Sequence, residues 1–269
     1  MVPRDHITEW RAQADWVSDL QVEQDLVISR VLVELFARPG IAKALAFRGG
    51  TALNKLPLRP AARHSEDIDL VKVPSGPIGP VLKEIHAAHD PWLGEPRWKQ
   101  GGGRFPLSYR LESEDLPPVR MKLKVGINAR EHFTVFGQRS HRCEVASRWF
   151  AGSAGVLTYE LDDLLGTKVR ALFQRRKGRD LFDLALARRA APVDAKRVVE
   201  CFARSLAEDG DRVTRAVFEK NLAPKLRDQV FAADITPLLA PGHAWDMEAA
   251  LEAVLGRPVA LLPGDPWKG

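Results

Sequence analysis

The sequence predicts an α+β fold, a mixed sheet with flanking helices in the first half and a helical C-terminal domain after it. Two observations carry this reading. Apolar and polar residues alternate through Phe105–Leu111 and Val119–Ile127, the period of strands. From Glu160 onward the period becomes helical, as in Leu161, Leu164, Leu165, Val169 and Leu172. With 269 residues the chain has room for one large domain or two modest ones. The change of period places the boundary near Gly152 to Gly155, giving domains 1–152 and 153–269.

Taken in order, residues from Ile7 to Ala37 read as two helices broken at Val17-Ser18-Asp19. Leu20, Val27, Ile28, Val31, Leu32 and Leu35 form a broad apolar face on the second, and Pro39-Gly40 stops it. A short apolar run, Leu45-Ala46-Phe47, precedes Gly49-Gly50, a helix-compatible segment and the alternating stretch around Asp67 and Asp69. Pro74 to Pro77 is a loop, Ile78 to His89 a helix, and Arg97 to Leu111 a strand or hairpin. Val119 to Asn128 is a strand with Arg120, Lys122, Lys124, Gly126 and Asn128 on its polar face. Phe133 to Val145 adds one or two short strands, and Arg148 to Gly155 is expected to be a loop. Thr158 is placed to cap the helix that follows, with Asp162 and Asp163 in its first turn. Further helices follow over Leu181–Leu186, Lys196–Leu206 and Arg212–Asn221, before a Pro-rich tail.

A composition of 45% hydrophobic and 28% charged residues is that of an ordered globular protein and argues against disorder. The net charge of +5 suits an anionic partner without identifying one. Cys143 and Cys201 are far apart and in no metal-ligand spacing, which points to a reducing, cytoplasmic setting. The charged N-terminus lacks an apolar signal core, and no apolar run reaches membrane-spanning length.

The chemistry concentrates in Phe47 to Val71. Gly49 and Gly50 allow a tight turn and close approach to a ligand. A helix starting at Thr51 or just before it would offer its first N–H groups to a triphosphate. Asp67 and Asp69 share one face of a strand, where two carboxylates repel unless a cation lies between them. Mg²⁺ or Mn²⁺ is the simplest such cation, bound by one or two carboxylates together with the phosphate oxygens of an NTP. Ser65, just before the acids, either bonds locally or turns its hydroxyl to the site; it is grouped with Gly49, Gly50 and Thr51 as nucleotide-binding. The strand at Val119–Asn128 offers no third acid, and Glu131 is the nearest substitute. Farther on, Lys168 and Arg175 fall near one helix face, and Arg175, Arg176, Lys177 and Arg179 form a basic cluster able to bind an RNA backbone.

Together, FRGGTALNKL, HSEDIDLV and TKVRALFQRRKGRDLFDL resemble the AbiEii/AbiGii nucleotidyltransferase toxins of the polymerase-β-like superfamily. The resemblance covers most of the chain from Phe47 to Leu184. It implies a mixed-sheet nucleotidyltransferase domain joined to a helical domain, a cognate antitoxin protein as partner, and nucleotide transfer from NTP to a tRNA 3′ end. By the same resemblance Gly49 and Gly50 contact phosphate, Asp67 and Asp69 bind metal and are catalytic, Lys168 is catalytic at the triphosphate, and Asp180 is the later catalytic aspartate. Gly126 departs from the pattern, standing where the family strand often carries glutamate. Two alternatives stay open: transfer to a protein or small-molecule hydroxyl, and a nucleotide- or RNA-binding protein of low turnover.

Overall fold

The computed structural model describes every residue except Met1, Lys99, Gln100 and Asp209. The chain forms two compact units. One comprises Met1–Leu56, His64–Phe133 and Gln138–Thr158; the other comprises Pro57–Arg63, Thr134–Gly137 and Tyr159–Gly269. Among the described residues no helix is long and apolar enough to cross a membrane.

The first unit opens with α1 (Arg4–Trp10) and α2 (Asp19–Phe36). The break between them is chemical: Ser18 accepts a bond from the Gln21 amide, while the Gln21 side chain reaches back to the Ser18 amide. This reciprocal cap satisfies two otherwise orphaned donors. Leu26, Val27, Ile28, Val31, Leu32 and Leu35 are fully buried. Pro39 does not merely stop α2; it begins α3 (Pro39–Ala44), since proline tolerates the first turn of a helix, where its missing N–H has no intrahelical partner anyway. Within this core, Asp25 accepts from Lys55 Nζ at 2.8 Å and from Trp10 Nε1 at 3.0 Å. Burial pushes the Asp25 carboxyl up, but Lys55 outweighs it and holds the acid below its ordinary range.

After α3 come β1 (Leu45–Arg48), α4 (Gly49–Lys55), β2 (Asp67–Lys72), α5 (Gly79–Leu93), β3 (Arg97–Trp98), β4 (Arg104–Glu112), β5 (Arg120–Asn128), β6 (Gln138–Ala146) and β7 (Ala151–Tyr159). The strands form one mixed sheet in the order β3-β4-β5-β2-β1-β7-β6. β2 pairs antiparallel with β1 and parallel with β5, and β4 pairs antiparallel with β5. Phe105, Leu107, Tyr109 and Leu111 of β4 and Met121, Leu123, Val125 and Ile127 of β5 are buried on one face, as their alternation requires.

Two expectations are corrected here. Ala151–Tyr159 is a strand, not a loop, so the expected boundary at 152–153 falls inside β7. A run of Ala, Gly and Ser carries little strand propensity, and it is held as a strand by its place in the sheet, hydrogen-bonded to β6 with β1 joining at Thr158. Thr158 accordingly lies in β7, where its hydroxyl donates to the Phe47 carbonyl at 2.6 Å instead of capping a helix.

The second unit holds α6 (Leu161–Gln174), α7 (Gly178–Ala190), α8 (Ala195–Ala207), α9 (Arg215–Leu226), α10 (Gln229–Ala233) and α11 (Met247–Gly256). Lys225 Nζ donates to the carbonyls of Leu172 and Phe173, satisfying acceptors at the C-terminal end of α6. Asp163, in the first turn of α6, accepts from the amides of Val135 and Phe136, each at 2.9 Å.

His89 of α5 is fully buried beside Trp92 and Tyr109. Burial lowers its pKa from 6.5 to about 4. A depressed imidazole keeps the fold neutral there, so its contribution to stability is present above pH 6.5 and is lost as pH falls toward 4. The unfolding free energy should therefore lose about 3 kcal/mol over that window relative to His89→Gln, whose side chain does not titrate. Urea denaturation of both proteins at pH 7, 5.5 and 4 measures the difference.

Candidate active site

The turn from β1 into α4 is set by two demands on Gly49. Its φ is +83°, a left-handed conformation that L side chains rarely adopt, and an added Cβ would come within 2.5 Å of Asp69 Oδ2. The reason is register: antiparallel pairing puts Arg48 opposite Asp69, so the next backbone atoms pass directly over the carboxylate. Thr51, buried in the first turn of α4, donates its hydroxyl to the Asp67 carbonyl and shares a hydrogen bond with Ser65 Oγ at 2.8 Å. Asn54 Nδ2 donates to the Gly50 carbonyl at 2.9 Å. These bonds fasten the Gly49-Gly50-Thr51 backbone to the start of β2.

Asp67 is exposed and Asp69 half-buried, on the same open sheet face, while Ile68 and Leu70 point into the core. In the parallel ladder Lys124 lies opposite Asp67 and Gly126 opposite Asp69. A Cβ at position 126 would meet Asp69 Oδ1 at 3.5 Å, an ordinary contact, so a side chain can begin at that position beside Asp69. Glu131 has another engagement: Arg48 Nη1 donates to its Oε2 at 2.5 Å. Asn128 turns the chain there, its Oδ1 accepting from the amides of Arg130 and Glu131. Two carboxylates beside a glycine-lined backbone match the oxygen-ligand chemistry of Mg²⁺, which Asp67 and Asp69 would hold. Among the described residues there is no group of three or more His, Cys, Asp and Glu side chains that could hold a metal.

The second unit carries the later motif as a buried charge network. Lys168 Nζ lies 2.9 Å from Asp180 Oδ1 and 2.8 Å from Asp183 Oδ2, and all three residues are buried. Arg63 grips Asp183 through two bonds of 2.6 and 2.7 Å, and Arg175 grips Asp180 in the same bidentate way. Burial pushes both carboxyls up, but Lys168 with Arg175 on Asp180, and Arg63 with Lys168 on Asp183, hold them well below the usual range. Arg63 and Asp183 are absent from the sequence-derived set. The signal for Asp183 was available, three residues past Asp180 on one helix; Arg63 had none, because a lone arginine in a loop gives no hint of burial.

The basic cluster expected to face RNA is paired with carboxylates of the same chain while Arg175, Arg176 and Lys177 stay about half-exposed or more. Besides Arg175, Lys177 Nζ lies 3.3 Å from Asp234, Arg179 donates twice to Asp234 at 2.9 and 3.0 Å, and Arg176 lies 3.9 Å from Asp228. Gly178 has a packing reason: a Cβ would fall 2.1 Å from the Phe231 carbonyl oxygen, so only glycine lets α7 start against α10.

A family model described as the nucleotidyl transferase AbiEii toxin of a type IV toxin–antitoxin system matches residues 30–253. No curated protein matches the sequence. Among solved structures, the fold is similar to MenT4, a nucleotidyltransferase toxin from Mycobacterium tuberculosis, with TM-score 0.63 and 17% identity over 93% of this chain and 87% of that one. It is also similar to JHP933 from Helicobacter pylori, with TM-score 0.53 and 19% identity over 91% of this chain and 92% of that one.

Asp183→Asn should cost about 3–5 kcal/mol, because it leaves buried Arg63 and Lys168 undercompensated. Arg175→Gln, at a side chain 53% exposed, should cost less than about 1 kcal/mol. Denaturant midpoints of the two variants test the contrast.

Proposed function

We infer the function from one premise: this chain belongs to the AbiEii family of nucleotidyltransferase toxins of type IV toxin–antitoxin systems. As such it is a nucleotidyltransferase, with an NTP as substrate and an antitoxin as partner. Our reading goes further: transfer is Mg²⁺- or Mn²⁺-dependent, the acceptor is RNA, and within RNA a tRNA 3′ end. The metal dependence is carried by Asp67 and Asp69 side by side on an open sheet face, with the Gly49 backbone pressed against Asp69, while the RNA acceptor follows from the family resemblance of the sequence.

Asp67 and Asp69 would hold the divalent ion, which when bound offsets phosphate charge and favours ionisation of an attacking hydroxyl. The Gly49, Gly50 and Thr51 amides are assigned to the triphosphate, where preorganised donors stabilise charge as pyrophosphate departs. Thr51 and Ser65 act by fixing that backbone, since their hydroxyls are bonded to one another and to β2. In the second unit, Lys168 and Arg175 are assigned to anion binding. Lys168, Arg63 and Arg175 meet Asp180 and Asp183 in one network, and Arg175 is its half-exposed member. Asp180 thus becomes a positioning residue that holds Lys168.

A second reading, slow turnover, rests on Gly126, where the site lacks an acid against Asp69. Incubation with Mg²⁺, each labelled NTP and total tRNA separates the readings: label should appear on RNA, not on protein or small molecules. Asp67→Asn and Asp69→Asn should each abolish transfer with an unchanged melting temperature. Gly126→Glu should raise the rate if the missing acid limits it; an unchanged rate would exclude that reading.

A further inference from the structure

We propose that the open face of β3, β4 and β5 is the surface along which the RNA acceptor lies, bound through its phosphate backbone. This rests on the RNA-acceptor reading above and adds where the RNA is held.

Strand register builds the surface. Antiparallel pairing puts Arg97 opposite Ser108, Ser108 opposite Lys124, and parallel pairing puts Lys124 opposite Asp67. One row of side chains therefore crosses the sheet from the β3 edge to the first acid, about 14 Å at the usual strand spacing. The neighbouring rows hold Arg110 opposite Lys122, Glu112 opposite Arg120, and Arg104 opposite Asn128. Arg97, Arg104, Arg110, Arg120 and Lys122 are exposed and Lys124 is half-buried. Against these six cations the same face of β3–β5 carries one acid, Glu112. Among the described residues none of the six forms an ion pair with a carboxylate, in contrast to the paired cluster at Arg175–Arg179.

Composition identifies the occupant. A flat, solvated, unpaired positive face continuous with the row that ends at Asp67 complements a polyanion whose end must reach those carboxylates. The face has no aromatic side chain among residues 104 to 112 or 120 to 128 that point outward, so bases have nothing to stack on. Recognition is therefore of backbone charge, tolerant of sequence and strongly salt-dependent.

The test uses Arg97→Gln/Arg110→Gln/Lys122→Gln in the full chain, three exposed side chains outside the candidate active site, compared with an equal loss of exposed charge elsewhere, Lys83→Gln/Arg189→Gln/Lys196→Gln. Affinity for tRNA and for a short single-stranded RNA is measured against salt, alongside NTP binding and labelled transfer. The sheet variant should lose about 100-fold in single-stranded RNA affinity at 0.1 M salt, and its log–log salt slope should be shallower by about 2, the loss of three contacts at about 0.7 each. NTP binding should stay unchanged, and the control variant should keep its RNA affinity. If the wild type labels RNA and the sheet variant binds and labels it equally well, the surface is wrong and the acceptor reading stands. If the wild type labels no RNA, the acceptor reading fails, and the binding comparison alone judges the face: lost affinity supports it, equal affinity or no binding overturns it. Polyglutamate bound more tightly than RNA of equal charge would also overturn it, in favour of an acidic protein partner.

Discussion

The antiparallel pairing of β1 with β2 is the constraint on which the site depends. It puts Arg48 across from Asp69 and so drives the backbone of Gly49 over the carboxylate. Any side chain at 49 would meet both a left-handed φ and an oxygen 2.5 Å away. From that contact the rest follows: α4 starts beside the acids, Thr51 buries its hydroxyl against the Asp67 carbonyl, and Ser65 closes the same small network. A flexible glycine turn is thereby held rigid by polar bonds on both sides, with Thr158 of β7 anchoring the Phe47 carbonyl just before it. Preorganisation of this kind is what a phosphate cradle needs, because donors that must first be ordered lose part of their binding energy.

Each unit also buries charge, and in both cases pairs it. In the first unit Lys55, on the helix that leaves the glycine turn, is tied to Asp25 of the central helix α2. In the second, Lys168 of α6 is held between Asp180 and Asp183 of α7. Such pairs add modest net stability, since desolvation opposes their attraction, yet removing one partner is costly. Their effect is to fix how neighbouring helices meet. A lysine held by two carboxylates has one geometry, and Arg175 extends the same network to the surface.

Positive charge is distributed in two different ways. Arg175 to Arg179 is the densest basic run in the sequence, and it is met by Asp180, its own neighbour, and by Asp228 and Asp234 from farther along the chain. Burial pushes the Asp234 carboxyl up, but Arg179 outweighs it and holds the acid down at about 2. The cations of β3, β4 and β5 are scattered over residues 97 to 124, alternating with apolar residues, and sheet register gathers them on one face.

The sequence by itself determined the elements with strong periodicity and local chemistry. The alternation of β4 and β5, the amphipathic helices and the pairing of a Gly-Gly turn with Asp67 and Asp69 are all local patterns, because side-chain period and glycine geometry act within a few residues. Tertiary structure decided what depends on a distant partner. It made a strand of the Ala-, Gly- and Ser-rich stretch at β7, since the neighbouring strand β6 supplies the hydrogen bonds that propensity does not. It moved Thr158 from a cap to a strand anchor, engaged Glu131 with Arg48, and brought Arg63 to Asp183 across 120 residues of chain. A buried ion pair is written nowhere in the local pattern: two opposite charges far apart in sequence meet only when folding excludes water from both and leaves each as the other's nearest compensation.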